Sequence, residues 1–472
     1  MHYSADKTLA SSAEDDGRPW WRLLTRYHWF VLFVAALGWL FDTMDQQLFV
    51  LVRTPALTEL LGNKDQAIIY STYATSIFII GWATGGLIFG LFGDRWGRAR
   101  TMMLTILIYS LFTGLSALSR SWWDFAVYRF ITGMGVGGEF AAGISLVAEA
   151  MPVRARPYAL GLLQALSAVG NMIAAGITFA VPPQESFLGM SGWRVAFLVG
   201  ILPALLVVMV FRKIKEPEVW QIARAAANRG DVSDELHRQL GDMRELFHDR
   251  RWRYHTLIGV ALAVAGVMGL WGVGFWTPEL IRNNVLKDLP KSDQDWYASM
   301  ASLLQNLAAF FGIYAFTWLT GRTNRRFTFA VSYVLALGAT ILVFGFMTKP
   351  GQVWWMIPLL GFCNLMVFGG FAIYFPELYP TRLRSTGTSF CYNVARYLTA
   401  AAPFMLGALA LAFVAPEGER RAQNMASLTW LSSLGSVDNA FRYAALAVSS
   451  VYLIGLAVLP FAPETKGKPL PE

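Results

Sequence analysis

Charge is the first thing this sequence has little of. Charged residues make up 15% of the 472 positions, where a soluble domain carries about 25%. Hydrophobic residues make up 55%, and the mean hydropathy is +0.43. This balance excludes an ordinary soluble enzyme, a disordered chain and a fibre, and the long apolar runs disfavour a porin-type barrel, whose strands alternate. The composition predicts a polytopic helical membrane protein.

Residues that hold metals or form disulfides are also scarce. The two cysteines, Cys363 and Cys391, both fall in apolar segments and give neither a disulfide framework nor metal-ligand spacing. No nucleophile–base set stands out, so we expect no enzyme activity, no metal and no cofactor. The five histidines lie near the N-terminus, at span ends or in the central loop: His2, His28, His237, His248 and His255.

Twelve segments are long and apolar enough to cross a bilayer, which takes about 20 residues. The longest polar interruption, 213–253, separates six spans from six and predicts one or two short surface helices. The chain thus divides into a cytoplasmic segment 1–27, a half 28–212, this central loop, a half 254–462 and a tail 463–472. The predicted spans are 28–52, 68–92, 100–119, 123–147, 157–181, 193–212, 254–281, 297–319, 327–348, 352–376, 386–414 and 439–462.

The positions of Lys and Arg predict the orientation. With the N-terminus inside, the internal segments hold most of these residues and the external loops hold few. The formal net charge of +8 then follows from topology, and no nucleic-acid partner is needed to explain it. We expect a multi-pass protein of the plasma (inner) membrane, surrounded by lipid, with both termini cytoplasmic.

The two halves share a motif. Residues 149–156 and 377–384 both read E-x-x-P-x-R-x-R, at the ends of spans four and ten. A second echo joins GDRWGRAR after span two to TGRTNRR after span eight. Positive-inside bias explains the arginines but not the matched Glu and Pro. Two related six-helix halves place a substrate path at their interface.

Several motifs resemble those of the major facilitator superfamily. Residues 90–100, G-x-x-x-D-R-x-G-R-A-R, are similar to its loop motif between spans two and three, and only Ala99 departs, where a basic residue is usual. Residues 129–139, R-x-x-x-G-x-G-x-G-G-E, and the tail P-E-T-K-G at 463–467 resemble the branch shared by sugar porters, metabolite:proton symporters and synaptic-vesicle-2-like carriers. The resemblance covers essentially the whole chain. It implies an all-α fold of twelve transmembrane helices in two pseudo-symmetric halves, alternating access, and a monomeric functional unit.

The resemblance also implies a cytoplasmic gate. It places Asp94 near the N-terminal end of span eleven, where the helix dipole favours a carboxylate, with Arg98 and Glu149 completing a charge network. Glu377 with Arg382 is the expected counterpart in the second half. The predicted gate residues are Gly90, Asp94, Arg95, Gly97, Arg98, Arg100, Glu149, Arg154, Glu377 and Arg382.

The second loop motif is degraded. If Gly312 aligns with Gly86, Thr320 falls where Asp94 sits. We therefore expect the carboxylate half of the gate to be missing in the C-terminal half.

A few charges lie inside predicted spans and away from their ends, where burying a lone charge is costly and marks function. Asp42 and Asp45 are three residues apart and share one face of span one. Arg129 and Glu139 lie in span four. With a rise of about 1.5 Å per residue, Asp45 and Arg129 lie roughly 10 Å and 9 Å below the same outer surface, so these two residues can pair.

A carboxylate beside an arginine in low dielectric can act as a proton switch, because breaking the pair favours the protonated acid. Asp42-Thr43-Met-Asp45 resembles the span-one acidic pair of aromatic-acid:proton symporters, usually Asp-Gly-x-Asp. Arg129 is similar to the arginine that pairs with a span-one Asp in proton-coupled sugar porters. We expect protons as the coupling ion. The alternative is that these charges only lock helices together.

Arg396 lies in span eleven, one turn after Asn393. A guanidinium near the middle of the membrane can grip a substrate carboxylate with two hydrogen bonds. The alternative is a structural salt bridge or a carbonyl cap within the half.

Amide and aromatic residues complete the predicted substrate site. Gln164 and Asn171 share a face of span five and resemble two sugar-binding positions of sugar porters, but span seven lacks the Gln-Gln pair of those porters. An aromatic, amide-lined pocket with one cation suits a small organic anion better than a sugar. The predicted substrate residues are Gln164, Asn171, Trp271, Trp276, Gln305, Asn306, Asn393 and Arg396.

Secondary active transport is the function that these patterns favour: proton-coupled symport of a small organic anion, a carboxylate and in particular an aromatic one. The alternatives within transport are a sugar or polyol porter and an uncoupled facilitator. A sensor built on a transporter fold is disfavoured because such proteins usually add a long soluble tail.

Overall fold

The computed structural model describes residues 19–183, 185–187, 189–204, 215–228, 241–273, 277–281, 285–400, 440–468 and 470–471. Ten helices in these ranges are long and apolar enough to cross a membrane. The remaining two predicted spans, 193–212 and 386–414, lie only partly within the described residues. Helices of membrane-spanning length and hydropathy therefore occupy most of the predicted spans.

The N-terminal half begins after a short 3₁₀ turn, Trp20–Leu23. Its helices are α1 Arg26–Leu61, α2 Lys64–Arg95, α3 Arg98–Ser116, α4 Trp122–Ala150, α5 Arg156–Ala180 and α6 Gly192–Val199, with a two-residue hairpin, β1 Ser186–Phe187 and β2 Met190–Ser191, before α6. Capping boxes at Thr25 and Ser121 supply partners for the free backbone N–H groups that begin α1 and α4. Gly62 ends α1 in the left-handed conformation, at φ 65°.

The central loop and the C-terminal half contain both long and short helices. They are α7 Glu218–Asn228, α8 Glu245–His248, α9 Arg250–Gly272, α10 Thr277–Leu280, α11 Lys291–Arg322, α12 Arg325–Phe346, α13 Pro350–Glu377, α14 Arg384–Ala400, α15 Ala440–Ser449 and α16 Tyr452–Val458. Short 3₁₀ turns, Thr381–Leu383 and Leu459–Phe461, precede α14 and follow α16. The prediction of short helices in the central loop is confirmed by α7 and α8.

One predicted span extends beyond the helix that the structure describes. The sequence predicts 254–281, but α9 ends at Gly272 and a separate short helix, α10, begins at Thr277. Glycines are frequent where α9 ends, and Pro278 cannot donate the backbone hydrogen bond that a continuing helix needs. Several other helices extend beyond the predicted apolar runs, because polar residues at their ends remain helical.

The two halves pack by the same plan. α2 lies against α4 within its own half and against α14 of the other half, and α11 lies against α13 and α5 in the same way. Small residues allow these close approaches: a Cβ on Gly85 would lie 2.0 Å from the carbonyl oxygen of Met134, and a Cβ on Gly312 would lie 2.1 Å from that of Phe362. The halves therefore meet along two related helix pairs, α2–α14 and α5–α11.

Candidate functional site

A cavity of about 150 Å³ lies between the two halves. Side chains from α1, α2 and α5 line it on one side, and side chains from α9, α11, α13 and α14 line it on the other. Its α1 lining runs from Trp39 to Val50, in the middle and later part of that helix. Six of the predicted substrate residues line this cavity: Gln164, Asn171, Trp271, Gln305, Asn306 and Arg396.

Arg396 brings a buried positive charge to the cavity wall. Its side chain is held between two rings, with the guanidinium carbon 3.8 Å from the Trp82 ring centre and 3.9 Å from that of Tyr392. Only 2% of the residue is exposed. Nη1 donates to Asn393 Oδ1 at 2.7 Å, whereas Nε has no hydrogen-bond partner among the described residues. No described carboxylate lies within ion-pair distance, so this cation makes no direct ion pair in the part of the chain that is described.

Asn393 is not among the residues that line the cavity, and its contact with substrate stays a prediction. Its Nδ2 donates to the carbonyl oxygen and the Oγ of Ser389, both at 2.9 Å. Its Oδ1 accepts from Arg396. A Cβ on Gly86 would lie 2.1 Å from the Asn393 amide nitrogen, so the amide is packed against α2. The residue positions Arg396 because all its polar atoms are used inside the protein.

The amide residues join the two halves across the cavity. Asn171 Nδ2 of α5 donates to Asn306 Oδ1 of α11 at 2.8 Å, and Asn306 Nδ2 donates to the Ser302 carbonyl at 2.9 Å. Gln164 is 3% exposed, and its Oε1 has no partner among the described residues. The cavity thus combines one cation with amide groups that still have hydrogen-bonding capacity.

Aromatic residues that the sequence reasoning missed complete the wall. Trp271 lies edge-on to Trp82, with ring centres 5.9 Å apart. Tyr392 was detectable, because it lies four residues before Arg396 on the same face of α14. The sequence indicates Trp82 less clearly. This residue precedes Gly86 by four positions and therefore shares the face of α2 that meets α14. The predicted Trp276 lies outside the described residues.

The predicted pair of Asp45 and Arg129 is present in the N-terminal half. Arg129 Nη1 lies 3.6 Å from Asp45 Oδ2, and both side chains are fully buried. Thr113 donates to Asp45 Oδ1 at 2.6 Å. Arg129 also donates to Ser116 Oγ at 2.8 Å and Thr132 Oγ1 at 3.0 Å. Charge and hydrogen bonds together compensate the burial of this pair.

Asp42 and Glu139 are buried without such compensation. Each is 1% exposed. Both carboxylate oxygens of Asp42 and Oε2 of Glu139 have no hydrogen-bond partner among the described residues. The two acids therefore differ from Asp45, although all three lie in the same part of the N-terminal half.

The charge network predicted for the gate forms between the halves. Asp94 accepts from the backbone N–H of Ser385 at 3.2 Å and of Thr386 at 2.8 Å, at the N-terminus of α14. Arg98 pairs with Asp94 and with Glu149, each at 3.0 Å. Arg384 of α14 pairs with the same Glu149 at 2.8 Å. The network thus fastens α2, α3 and α4 of one half to α14 of the other.

The predicted pairing of Glu377 with Arg382 was wrong. Glu377 pairs with Arg325 at 2.9 Å, as Glu149 pairs with Arg98 in the first half. Arg382 pairs with Glu245 of the central loop, because Pro380 turns the chain away from Glu377. Burial raises the pKa of Glu245, and the charge of Arg382 opposes that shift.

The degraded position behaves as the alignment predicts. Thr320 Oγ1 accepts from Arg325 Nη1 at 2.9 Å, in the place where Asp94 meets Arg98. A hydroxyl keeps the hydrogen bond but supplies no charge. The C-terminal network therefore lacks the carboxylate that binds the helix N-terminus in the first half.

The remaining predicted gate residues have two kinds of environment. Gly90 allows α2 to approach α14, since a Cβ there would lie 2.5 Å from Ser389 Cβ. Gly97 adopts φ 123°, which favours glycine, at the start of α3. The side chains of the other three are exposed at the surface, as topological arginines are: Arg95, Arg100 and Arg154.

Glu216 of the central loop was missed by the sequence reasoning. Its carboxylate accepts from the backbone N–H groups of Arg98 at 2.7 Å, Ala99 at 3.2 Å and Arg100 at 3.2 Å, at the N-terminus of α3. Glu464 of the tail does the same at α12, accepting from Arg325 at 3.2 Å. Both carboxylates compensate the free N–H groups and the dipole of a helix start.

Comparison with known proteins places this architecture in a family. The family model described as Major Facilitator Superfamily matches residues 29–403. The chain belongs to the Major Facilitator Superfamily. It is therefore a multi-pass membrane transporter rather than an enzyme, with the all-α fold of two six-helix halves that the superfamily motifs imply.

Individual superfamily members are distant in sequence. The niacin transporter NiaP of Acinetobacter baylyi is 27% identical, over 81% of this chain and 87% of its own. The cis,cis-muconate transport protein of the same organism is 29% identical, over 71% and 77%. Among solved structures, the proton:xylose symporter XylE of E. coli matches with a TM-score of 0.67 at 17% identity, over 94% of this chain and 98% of that chain. That last likeness shows the fold alone.

Proposed function

We propose that the chain is a proton-coupled symporter of a small organic anion that works by alternating access. The observation that carries this proposal is Arg396, a buried guanidinium that faces the cavity without a described carboxylate partner. A buried charge is costly unless it is paired. A carboxylate bound in the cavity would supply the missing partner.

Size and lining support a compact, flat anion. A volume of about 150 Å³ is of the order that holds a benzene ring. Trp82, Tyr392 and Trp271 provide ring faces and edges, and Gln164 and Asn171 provide amides. Niacin is an aromatic monocarboxylate and cis,cis-muconate a dicarboxylate, so the names of the two relatives point to the same chemistry.

Proton coupling rests on the buried acids of the N-terminal half. Two of these acids, Asp42 and Asp45, lie in α1, which lines the cavity, and Glu139 lies with Arg129 in α4 of the same half. Ionisable groups inside membrane spans commonly form proton relays. The anion alone would carry its negative charge across the membrane. A proton taken up with it would balance one charge and draw on the proton gradient.

Two features support alternating access. The charge network around Asp94 and Arg98 joins the halves at the end that we propose is cytoplasmic, and the cavity meets α1 between Trp39 and Val50, away from that end. We infer that this arrangement is the state closed to the cytoplasm, in an inner membrane with both termini cytoplasmic. One chain encloses the whole cavity, so we propose a monomer as the functional unit.

The test is external pH in proteoliposomes that hold the purified chain. Addition of nicotinate, cis,cis-muconate or benzoate should make the outside alkaline as protons enter with the anion, and xylose should not. Alkalinisation with xylose alone would refute the proposal in favour of a sugar porter that uses Gln164 and Asn171. Uptake of labelled nicotinate without proton movement would refute coupling and leave a facilitator.

A further inference from the structure

The N-terminal half buries three acids that are compensated unequally. Asp45 has Arg129 at 3.6 Å and the Thr113 hydroxyl at 2.6 Å. Asp42 has neither an ion pair nor a hydrogen bond among the described residues, and Glu139 Oε2 has no hydrogen bond there. A negative charge on Asp45 is therefore offset by partners, whereas a charge on Asp42 or on Glu139 Oε2 is not offset by any described residue.

The Glu139 carboxylate of α4 lies against the same face of α1 that carries Asp42. A Cβ on Gly38 would lie 2.2 Å from Glu139 Oε1, so the carboxylate of α4 occupies the space that the glycine leaves open. Gly38 lies four residues before Asp42, one helical turn away on the same face. Ile106 of α3 closes this space, with its Cδ1 3.5 Å from the same Cβ position. We call Asp42 and Glu139 the acid pair.

Charged and titratable groups face the acid pair from each neighbouring helix. α1 contributes Asp45, and α3 contributes Tyr109, which is fully buried with no described hydrogen-bond partner for its hydroxyl. α4 contributes Arg129, which is held by Asp45. α14 contributes Arg396 and Tyr392, both within electrostatic range of Asp42. Arg396 is thus a positive charge within electrostatic range of Asp42, and no described carboxylate forms an ion pair with it.

Elementary electrostatics limits the charge of such a pair. Two neighbouring carboxylates in low dielectric cannot both be ionised at modest cost, because desolvation and mutual repulsion act together. One proton shared between them removes the repulsion and leaves one charge. The two carboxyl groups then gain and lose this proton as one unit.

Resting on the proposed function, we propose that the transported proton is shared between Asp42 and Glu139, while Asp45 and Arg129 remain a fixed ion pair. The proton enters from the cavity side and binds to one carboxylate oxygen of the pair. It leaves to the cytoplasm when the carrier opens there. No covalent bond other than this O–H bond forms or breaks.

Arg396 links this proton to the anion. In the empty carrier its charge attracts ionised Asp42 across the interface between the halves. A carboxylate bound at Arg396 neutralises that charge, so the acid pair then holds its proton more tightly. By linkage, the proton strengthens anion binding by the same factor. This reciprocal effect is what symport requires.

Infrared titration of the purified full chain tests the proposal without any anion. We expect a protonated carboxylic acid C=O signal near neutral pH that disappears in both Asp42→Asn and Glu139→Gln and persists in Asp45→Asn. Loss of the signal in Asp45→Asn alone would overturn the assignment. Binding of nicotinate to detergent-solubilised wild type, followed with a pH indicator, should add proton uptake that the same two variants lack.

Gly38 offers a second test that leaves every acid in place. Gly38→Ala should displace the Glu139 carboxylate and lower proton uptake several-fold, and Gly38→Ala with Glu139→Asp should restore much of it because the shorter acid needs less space. Gly176→Ala is the matched control, since its Cβ would meet nothing within 4 Å. Normal uptake in folded Gly38→Ala would overturn the proposal.

The two proposals fail in different ways. If wild-type protein shows the infrared signal but no acid of the panel drives proton movement, the acid pair stands and anion symport fails. If wild type shows anion-driven proton movement that Asp42→Asn and Glu139→Gln retain, symport stands and the acid pair is refuted.

Discussion

Arg396 shows how a single residue can define a binding site through what it lacks. Two aromatic rings and the Asn393 amide hold its guanidinium in place, and none of these groups neutralises its charge. A planar guanidinium suits both the stacking and a two-point contact with a carboxylate. Lysine keeps the charge and loses both properties.

Arg396→Lys should therefore weaken an organic anion far more than a neutral solute. The loss of one charge-assisted hydrogen bond, about 1.5–3 kcal/mol, corresponds to a rise in KM of roughly 10- to 100-fold for nicotinate uptake. Arg194→Lys is the control, because Arg194 pairs with Glu59 outside the cavity at 3.1 Å. Equal effects of Arg396→Lys on nicotinate and on a neutral sugar would contradict the carboxylate contact.

At the residue scale, sequence reasoning located charges better than it located their partners. Rarity of charge in a span was enough to single out Asp42, Arg129 and Arg396. The misplaced pairing of Glu377 depended on a turn at Pro380 that spacing alone does not resolve. Asn393 faces α2 rather than the cavity, because the rotation of α14 is set by its contact with Gly86.

At the scale of elements, the start of α3 depends on a residue from a distant part of the chain. Glu216 binds three backbone N–H groups there. Glu216→Ala should cost about 0.5–2 kcal/mol, as loss of a helix cap does, and should lower the Tm of the purified protein by a few degrees.

Glu218→Ala is the matched control for that cap, because Glu218 is exposed two residues away. Its Tm should stay close to that of the wild type. Equal decreases in the two variants would show that Glu216 contributes nothing specific to α3. Spacing could not reveal this contact, since 118 residues separate Glu216 from Arg98.

The contact of α2 with α14 joins the two halves, and it requires a small residue at position 90. Gly90→Ala places a Cβ 2.5 Å from Ser389 Cβ and should separate the two helices. Hydrogen exchange at the amides of Ser385 and Thr386, which donate to Asp94, should then become faster. Gly351→Ala, whose Cβ would meet nothing within 4 Å, should leave that exchange unchanged.

At the scale of the whole molecule, the two halves share one arrangement of charged residues and differ at one position of it. Glu149 with Arg98 and Glu377 with Arg325 are equivalent pairs. Asp94 adds a charge to the first, and Thr320 leaves the second without one. Because of this asymmetry, we expect the contact of α2 with α14 to be held more strongly than the equivalent contact of α11 with α5.

The architecture was readable from the sequence because membrane spans and loop motifs are local patterns. Hydropathy gave the spans, and the E-x-x-P-x-R-x-R repeat gave the halves. The end of α9 at Gly272 was missed because the residues around it remain apolar, although the glycines and Pro278 indicate it. The sequence predicted only part of the cavity wall. Trp82 and Tyr392 belong to the wall because α2 packs against α14, which the sequence alone does not show.

The most direct test of the account is accumulation of labelled nicotinate in proteoliposomes under an imposed pH gradient, acid outside, at zero membrane potential. The account predicts accumulation above the external concentration, collapse of that accumulation on adding a protonophore, and its loss in Asp42→Asn. Uptake that only equilibrates, at the same rate with and without the gradient, would contradict proton-coupled transport of an organic anion.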